Sequence, residues 1–206
     1  MRIVRHIAHS VFQENTYILY KNDQMLIIDP GDEPQYYEQY FKKDHKLMAV
    51  LATHGHIDHI MGAHRLCNDK HCPFIASGLD HPMIDLLKYS CERYHLPYFG
   101  TPSLDKDIAG IEDLSIGDFN IKIIHTPGHT PGSVCFLIDD VLFSGDTLFY
   151  RSIGRTDLPG GDHGKLLSSI KKLIKILPED TIVYPGHMDK TTLEEERQFN
   201  PFIVIE

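Results

Sequence analysis

Leu47-Met48-Ala49-Val50-Leu51-Ala52-Thr53-His54-Gly55-His56-Ile57-Asp58-His59 is the stretch that decides the fold. An apolar run of strand length, Leu47–Thr53, delivers four potential metal ligands within six residues as the backbone leaves a buried strand. Residues two apart at an extended strand end point to the same side. His54 and His56 can therefore reach one ion together. Asp58 and His59 swing away as the chain turns into a helix expected over Ile57–Cys67, with Asp58 near its positive end. This pattern points to two neighbouring ions rather than one.

Three further polar residues sit at strand ends and follow a glycine. His129 lies in Thr126-Pro127-Gly128-His129-Thr130-Pro131-Gly132 after the strand Asn120–Ile124, and Asp146 lies in Ser144-Gly145-Asp146-Thr147 after Val141–Phe143. His187 lies in Pro185-Gly186-His187 after Thr181–Tyr184. Rigid strands that present loops are where sites gather. The set of five histidines and two aspartates, with no thiolate, suits zinc, iron or manganese and argues against a structural zinc knot. Seven ligands are too many for one catalytic ion that keeps an open position. Divided between two ions about 3.5–4 Å apart, with one carboxylate bridging, they leave room for water. A lone histidine is ordinarily structural or exposed, and that is the reading of His6, His9, His45, His64, His71, His81, His95, His125 and His163. The His54–His59 cluster is different, because burying so many polar groups without a metal is costly.

Outward from these motifs, strands are expected at Thr16–Tyr20, Met25–Asp29 and Val134–Ile138. Helices are expected at Glu33–Lys43, at His81–Arg93 with Met83, Leu86, Leu87 and Cys91 inward, and at Lys165–Leu177. Leu96–Ile111 and Tyr150–Gly164 read as loops. Strands grouped early and late, each group followed by helices, imply a two-layered β core with helices outside. The chain has no internal repeat or linker, so one domain over residues 1–206 is expected.

Composition narrows the function. At 206 residues the chain has ample length for a core. A formal net charge of −9 argues against a sequence-independent grip on nucleic acid, which needs a basic surface. No apolar run approaches the roughly 20 residues of a membrane span, and Met1–Ile7 lacks the features of a signal peptide. A cytoplasmic location follows as the expectation. Cys67, Cys72, Cys91 and Cys135 form no disulfide framework. Cys67 and Cys72 flank His71 without a second matching pair, so reduced, buried thiols are expected.

Thr53-His54-Gly55-His56-Ile57-Asp58-His59, followed in order by the elements at His129, Asp146 and His187, resembles the metallo-β-lactamase superfamily. The resemblance implies an α/β (α+β) fold, a four-layer αββα sandwich with metals at one edge of the two sheets. It implies one site of His54, His56 and His129, another of Asp58, His59 and His187, and Asp146 as the bridge. Within the superfamily the chain is similar to the short glyoxalase II-like (hydroxyacylglutathione hydrolase-like) enzymes. That narrower likeness rests on Gly154-Arg155-Thr156-Asp157-Leu158-Pro159-Gly160-Gly161-Asp162 and on Glu196-Arg197-Gln198-Phe199-Asn200-Pro201-Phe202. Arg155 matches a basic position near the substrate, with a loop-shaping salt bridge to Asp157 or Asp162 as its other reading. Many lactamases of the superfamily carry cysteine where Asp146 stands, so a lactamase is disfavoured, as are nucleic-acid-processing branches with large insertions.

The implied activity is metal-dependent hydrolysis of a small-molecule thioester such as S-D-lactoylglutathione. Two divalent ions, zinc first with iron or manganese also suited, would bring a shared water to hydroxide near neutral pH as nucleophile. Asp58 and Asp146 would serve the chemistry as well as the metals. Asp29 reads either as an acceptor for a ligand imidazole or as an Asx-turn residue, and Thr53 and Thr147 as supports. Rival readings are a persulfide dioxygenase with one iron on His54, His129 and Asp146, a lactone or ester hydrolase, and a metal-binding sensor or electron-transfer module.

Overall fold

The computed structural model describes residues 1–42 and 44–203. The first sheet runs β1 (Arg2–Ile7), β2 (Asn15–Lys21), β3 (Gln24–Ile28) and β4 (Lys46–Leu51). β1–β3 are antiparallel, whereas β4 pairs parallel to β3. Two helices, α1 (Ile57–Ile60) and α2 (Ala63–Lys70), lead to β5 (Phe74–Ala76), parallel to β4. Next come α3 (His81–Asp85), α4 (Leu87–Tyr94) and the two-residue edge strand β6 (Lys106–Asp107).

The second sheet is built from β7 (Asp113–Ile116), β8 (Phe119–His125), β9 (Val134–Ile138) and β10 (Val141–Gly145). A separate small hairpin follows, β11 (Leu148–Phe149) with β12 (Ser152–Ile153). Helix α5 (His163–Ile176) crosses to β13 (Ile182–Pro185), parallel to β10, and β14 (Thr191–Thr192) and α6 (Leu193–Phe199) close the order.

Alternation along each strand divides the apolar residues among three cores. Tyr17, Leu19, Leu26, Ile28, Ala49 and Leu51 face Phe119, Ile121, Ile123, Phe136 and Phe143 between the sheets. Ile18, Met25, Ile27 and Val50, one residue out of phase, pack under Ile60, Leu66, Leu87 and Cys91 of the outer helices. On the other side Ile124, Cys135, Leu142 and Val183 meet Leu166, Ile170 and Leu173 of α5. Period two with both phases apolar is what a sheet buried on both faces requires. The result is the αββα sandwich. Asp162 starts α5 by accepting the Lys165 N–H, and Leu166, Ile170 and Leu173 then fall on one stripe. Each such side chain, fully buried, contributes about 1.5–3 kcal/mol, so Ile170→Asp would detach the helix.

Three expected helices differ from what forms. Over Glu33–Lys43 a 3₁₀ helix spans only Pro34–Tyr40, with Tyr37 buried, and Lys43 lies outside the described residues. The Ile57–Cys67 helix is broken at Met61–Gly62, where Gly62 N–H bonds Pro30 O at 2.9 Å. The His81–Arg93 helix breaks at Leu86, which is exposed, so Ile84 rather than Leu86 completes the inner face. β1, β5, β7 and α6 were not expected: β5 and β7 are short, and β1 alternates with charged residues.

Candidate metal centre

All seven sequence-selected histidines and aspartates converge at one edge of the sandwich, where β4, β10 and β13 end and α1 begins. The ligand atoms of His54, His56 and His129 lie within 4.8 Å of one another, as do those of Asp58, His59 and His187. Asp146 lies between the two sets. Its Oδ2 is 3.5 Å from His129 Nε2 and 3.6 Å from His187 Nε2, and its Oδ1 is 3.4 Å from His59 Nε2. Asp58 Oδ2 is 3.3 Å from His187 Nε2 and 3.9 Å from His59 Nε2.

The backbone brings these loops into near contact through glycine. Gly145 has φ +49°, and a Cβ there would lie 2.3 Å from Thr53 Oγ1. A Cβ on Gly186 would lie 2.3 Å from Asp146 Oδ1 and 2.7 Å from His59 Cε1. Any side chain at these positions would push strand β10 from β4, or the His187 loop from Asp146.

Hydrogen bonds fix the imidazole tautomers. His129 Nδ1–H donates to the Arg155 carbonyl at 2.7 Å, leaving a lone pair on Nε2. Thr53 Oγ1 donates its only proton to Asp29 Oδ2 at 2.7 Å. At 3.1 Å from that hydroxyl, His54 Nδ1 must therefore be the donor, and its Nε2 also bears a lone pair. These two Nε2 atoms are 3.2 Å apart, and His56 Nδ1 is 2.9 Å from His129 Nε2. Among the described residues, buried His59 Nδ1, His59 Nε2 and Asp146 Oδ1 have no hydrogen-bond partner. His59 Nδ1 is 3.0 Å from Asp29 Oδ2, but misaligned for a hydrogen bond. Converging lone pairs and an unpaired buried carboxylate oxygen are a poor arrangement for a bare pocket and a good one for cations. The donor set fits divalent metal.

Electrostatics follow the same division. Burial holds His54 well below the ordinary imidazole range, reinforced by His59 and His129, and burial with His129 pushes His56 down to about 4. Burial alone would raise the Asp58 and Asp146 carboxyls, but His59 beside them holds both below the carboxylate range. His59 and His187 go the other way. Burial opposes their charged forms, and the neighbouring carboxylates outweigh it.

Several supports escaped the sequence reading. Asp80, buried just past β5, accepts Gly55 N–H at 2.9 Å, Thr130 Oγ1–H at 2.7 Å and Gly132 N–H at 2.7 Å. It ties the His54–His56 loop to the His129 loop. Asn15 clamps the His187 loop, donating from Nδ2 to Pro185 O and Met188 O, while its N–H bonds Gly186 O. Glu14 is fully buried behind His59, accepts Thr16 Oγ1–H through Oε2, and has its carboxyl pushed well above the usual range by burial. The polar Glu14-Asn15-Thr16 run ahead of an apolar strand was the available signal. For Asp80 there was none beyond a turn after Ser77. The Arg155 side chain is exposed and forms a bidentate pair with Asp157, both bonds 2.7 Å, not with Asp162. Asp29 accepts both Thr53 N–H and Thr53 Oγ1–H at 2.7 Å, binding the end of β3 to that of β4.

Comparison with known proteins agrees with this geometry. The metallo-beta-lactamase superfamily profile matches residues 9–187. The chain is 38% identical to the probable metallo-hydrolase YqgX of Bacillus subtilis, over 97% of this chain and 96% of that one. It is 35% identical to the hydroxyacylglutathione hydrolase GloC of Haemophilus influenzae, over 96% of each. Among solved structures it is similar to the BLEG-1 B3 metallo-beta-lactamase, with TM-score 0.89, 36% identity, and 98% and 99% of the two chains covered. TTHA1623 in a di-iron-bound form gives TM-score 0.85 and 33% identity, over 98% of this chain and all of that one. The chain belongs to the metallo-β-lactamase superfamily, and its class there is that of the metallo-hydrolases. Among the described residues, no helix is long and apolar enough to cross a membrane.

Proposed function

We propose that this chain is a single-domain cytoplasmic thioester hydrolase acting on glutathione thioesters such as S-D-lactoylglutathione. His54, His56 and His129 would hold one divalent ion and Asp58, His59 and His187 a second, with the Asp146 carboxylate shared. The observation that carries the reading is the position of Asp146, within 3.6 Å of imidazole nitrogens from both sets. When bound, such a pair supplies water activated at neutral pH and polarises a carbonyl. Zinc is the first expectation, and the imidazole-carboxylate set suits iron and manganese too.

This chain's own residues set the geometry. Thr53 and the Arg155 carbonyl turn the His54 and His129 lone pairs inward. Asp80 holds the two loops that carry His54, His56 and His129 at fixed separation. Asp58 and Asp146 remain ionised, and Asp58 can orient the attacking water by accepting a hydrogen bond from it. A thiol leaving group has a pKa of about 8.5, so its departure needs no strong general acid. The thioester reading is supported by the likeness to GloC, whose name gives that activity.

The test is metal analysis of the purified protein coupled to turnover of S-D-lactoylglutathione. Two ions per chain with thioester cleavage is the expected result. Two ions without cleavage would keep the centre and refute the substrate. Oxygen uptake with a persulfide, lactone opening, or cleavage of a β-lactam in its place would reassign the reaction.

A further inference from the structure

Helix α2 ends in a left-handed cap that makes neighbours of two thiols. His71 has φ 53° and ψ 50°, its N–H bonds Cys67 O, and Cys72 N–H bonds the same carbonyl at 3.2 Å. That second bond is the 6→1 contact of a Schellman motif, which brings together the side chains of the third-last helical residue and the second residue past the cap. Here those residues are Cys67 and Cys72. The 3.2 Å backbone bond between them keeps the two residues close, as a disulfide requires.

Both thiols line an open pocket of about 430 Å³ with His64, His71 and Asp105. None of these is in the candidate metal centre. Cys67 is half-buried and Cys72 is buried. Cys91 and Cys135 are separate and fully buried. Among the described residues, no cluster of three ligand atoms includes either pocket thiol, so the geometry favours a dithiol over a metal site.

We propose that Cys67 and Cys72 form a peroxide-reactive dithiol that closes to a disulfide across the α2 cap. The thiolate of one cysteine attacks the O–O bond of a hydroperoxide, forming its sulfenic acid and releasing an alcohol, or water from hydrogen peroxide. The sulfur of the other cysteine then attacks the sulfenic sulfur. An S–S bond forms, the S–O bond breaks, and the hydroxyl leaves as water with the second thiol's proton. In sum, two thiols are oxidised by two electrons and one hydroperoxide is reduced to one alcohol and one water.

The experiment treats the purified full chain with one equivalent of hydrogen peroxide and maps it under non-reducing conditions. Trypsin cuts after Lys70, between the two cysteines, so the disulfide joins two separate peptides. The expected result is that linked pair, with a mass loss of about 2 Da and no change at Cys91 or Cys135. In Cys67→Ser and Cys72→Ser the disulfide cannot close, so in at least one of the two the remaining sulfenic acid should persist and be trapped by dimedone, and the double variant should give no adduct. Absence of the linked pair in the native chain, oxidation spread equally over Cys91, or no adduct in either single variant would overturn the proposal.

Discussion

His54 and His129 present their Nε2 atoms to each other at 3.2 Å, each with its Nδ1 proton committed elsewhere. One proton goes to Thr53 Oγ1 and the other to the Arg155 carbonyl. Facing lone pairs in a buried site are repulsive without a cation, so the hydrogen bonds behind the rings determine what the fronts can bind.

Thr53→Val should expose that dependence. The substitution keeps the shape but removes the hydroxyl that fixes His54, along with a hydrogen bond to Asp29. Metal affinity is expected to fall about 10–100-fold, with Thr53→Ser restoring it. Chelator competition would check this, and unchanged affinity in Thr53→Val would mean that the tautomer is set by other groups.

Asp146→Ala should have a larger effect. Its carboxylate lies within 3.6 Å of nitrogens of His59, His129 and His187 and so meets both sets. Metal content should drop below two ions per chain and turnover by more than the 10–100-fold typical of outer supports, about 1,000-fold. Plasma emission spectrometry with steady-state kinetics measures both, and full occupancy in the variant would refute the bridge.

The sandwich and the ligand cluster were legible in the sequence for a common reason. A sheet covered on both faces needs apolar residues in both strand phases, and Leu47–Ala52 spells this out before the ligands begin. The supports were hidden because they act across long sequence separations. Asp80 meets Gly55 at 25 residues and Gly132 at 52, and no local pattern encodes such a bond. The helix break at Gly62 was hidden too, since its bond to Pro30 O overrides a continuous apolar periodicity.

Asp80→Ala should test the strut. It leaves Gly55 N–H, Thr130 Oγ1–H and Gly132 N–H without their acceptor, at a cost of about 2–4 kcal/mol. Urea unfolding of the metal-loaded protein should show that loss, and kcat should fall with it as the two ligand loops drift apart. Retained stability with Asp80→Ala would mean that water replaces the carboxylate at no cost.

Asp32 gives a pH signature of its own. Its buried carboxylate accepts from His6 Nε2 at 2.9 Å and from both the backbone and ring of His9. Burial opposes ionisation, but these donors win and lower it to about 2. A carboxyl depressed on folding binds fewer protons in the native state, so its stabilisation is complete above the unfolded value near 4. It is lost as pH falls towards 2, by about 2 kcal/mol. Denaturant titrations from pH 5 to 2 should therefore be steeper for the native chain than for Asp32→Asn, and parallel curves would remove Asp32 from the acid response.

Arg155 and Asp157 test the substrate side. Their bidentate pair is exposed, so its share of stability is small. While Asp157 occupies the guanidinium, a substrate carboxylate must compete for it. If Arg155 grips the substrate, Arg155→Ala should raise KM with little change in kcat or Tm. Asp157→Ala, which frees the guanidinium, should lower KM. These opposite shifts in one assay distinguish a substrate contact from a loop brace: a brace would change Tm in both variants and KM in neither.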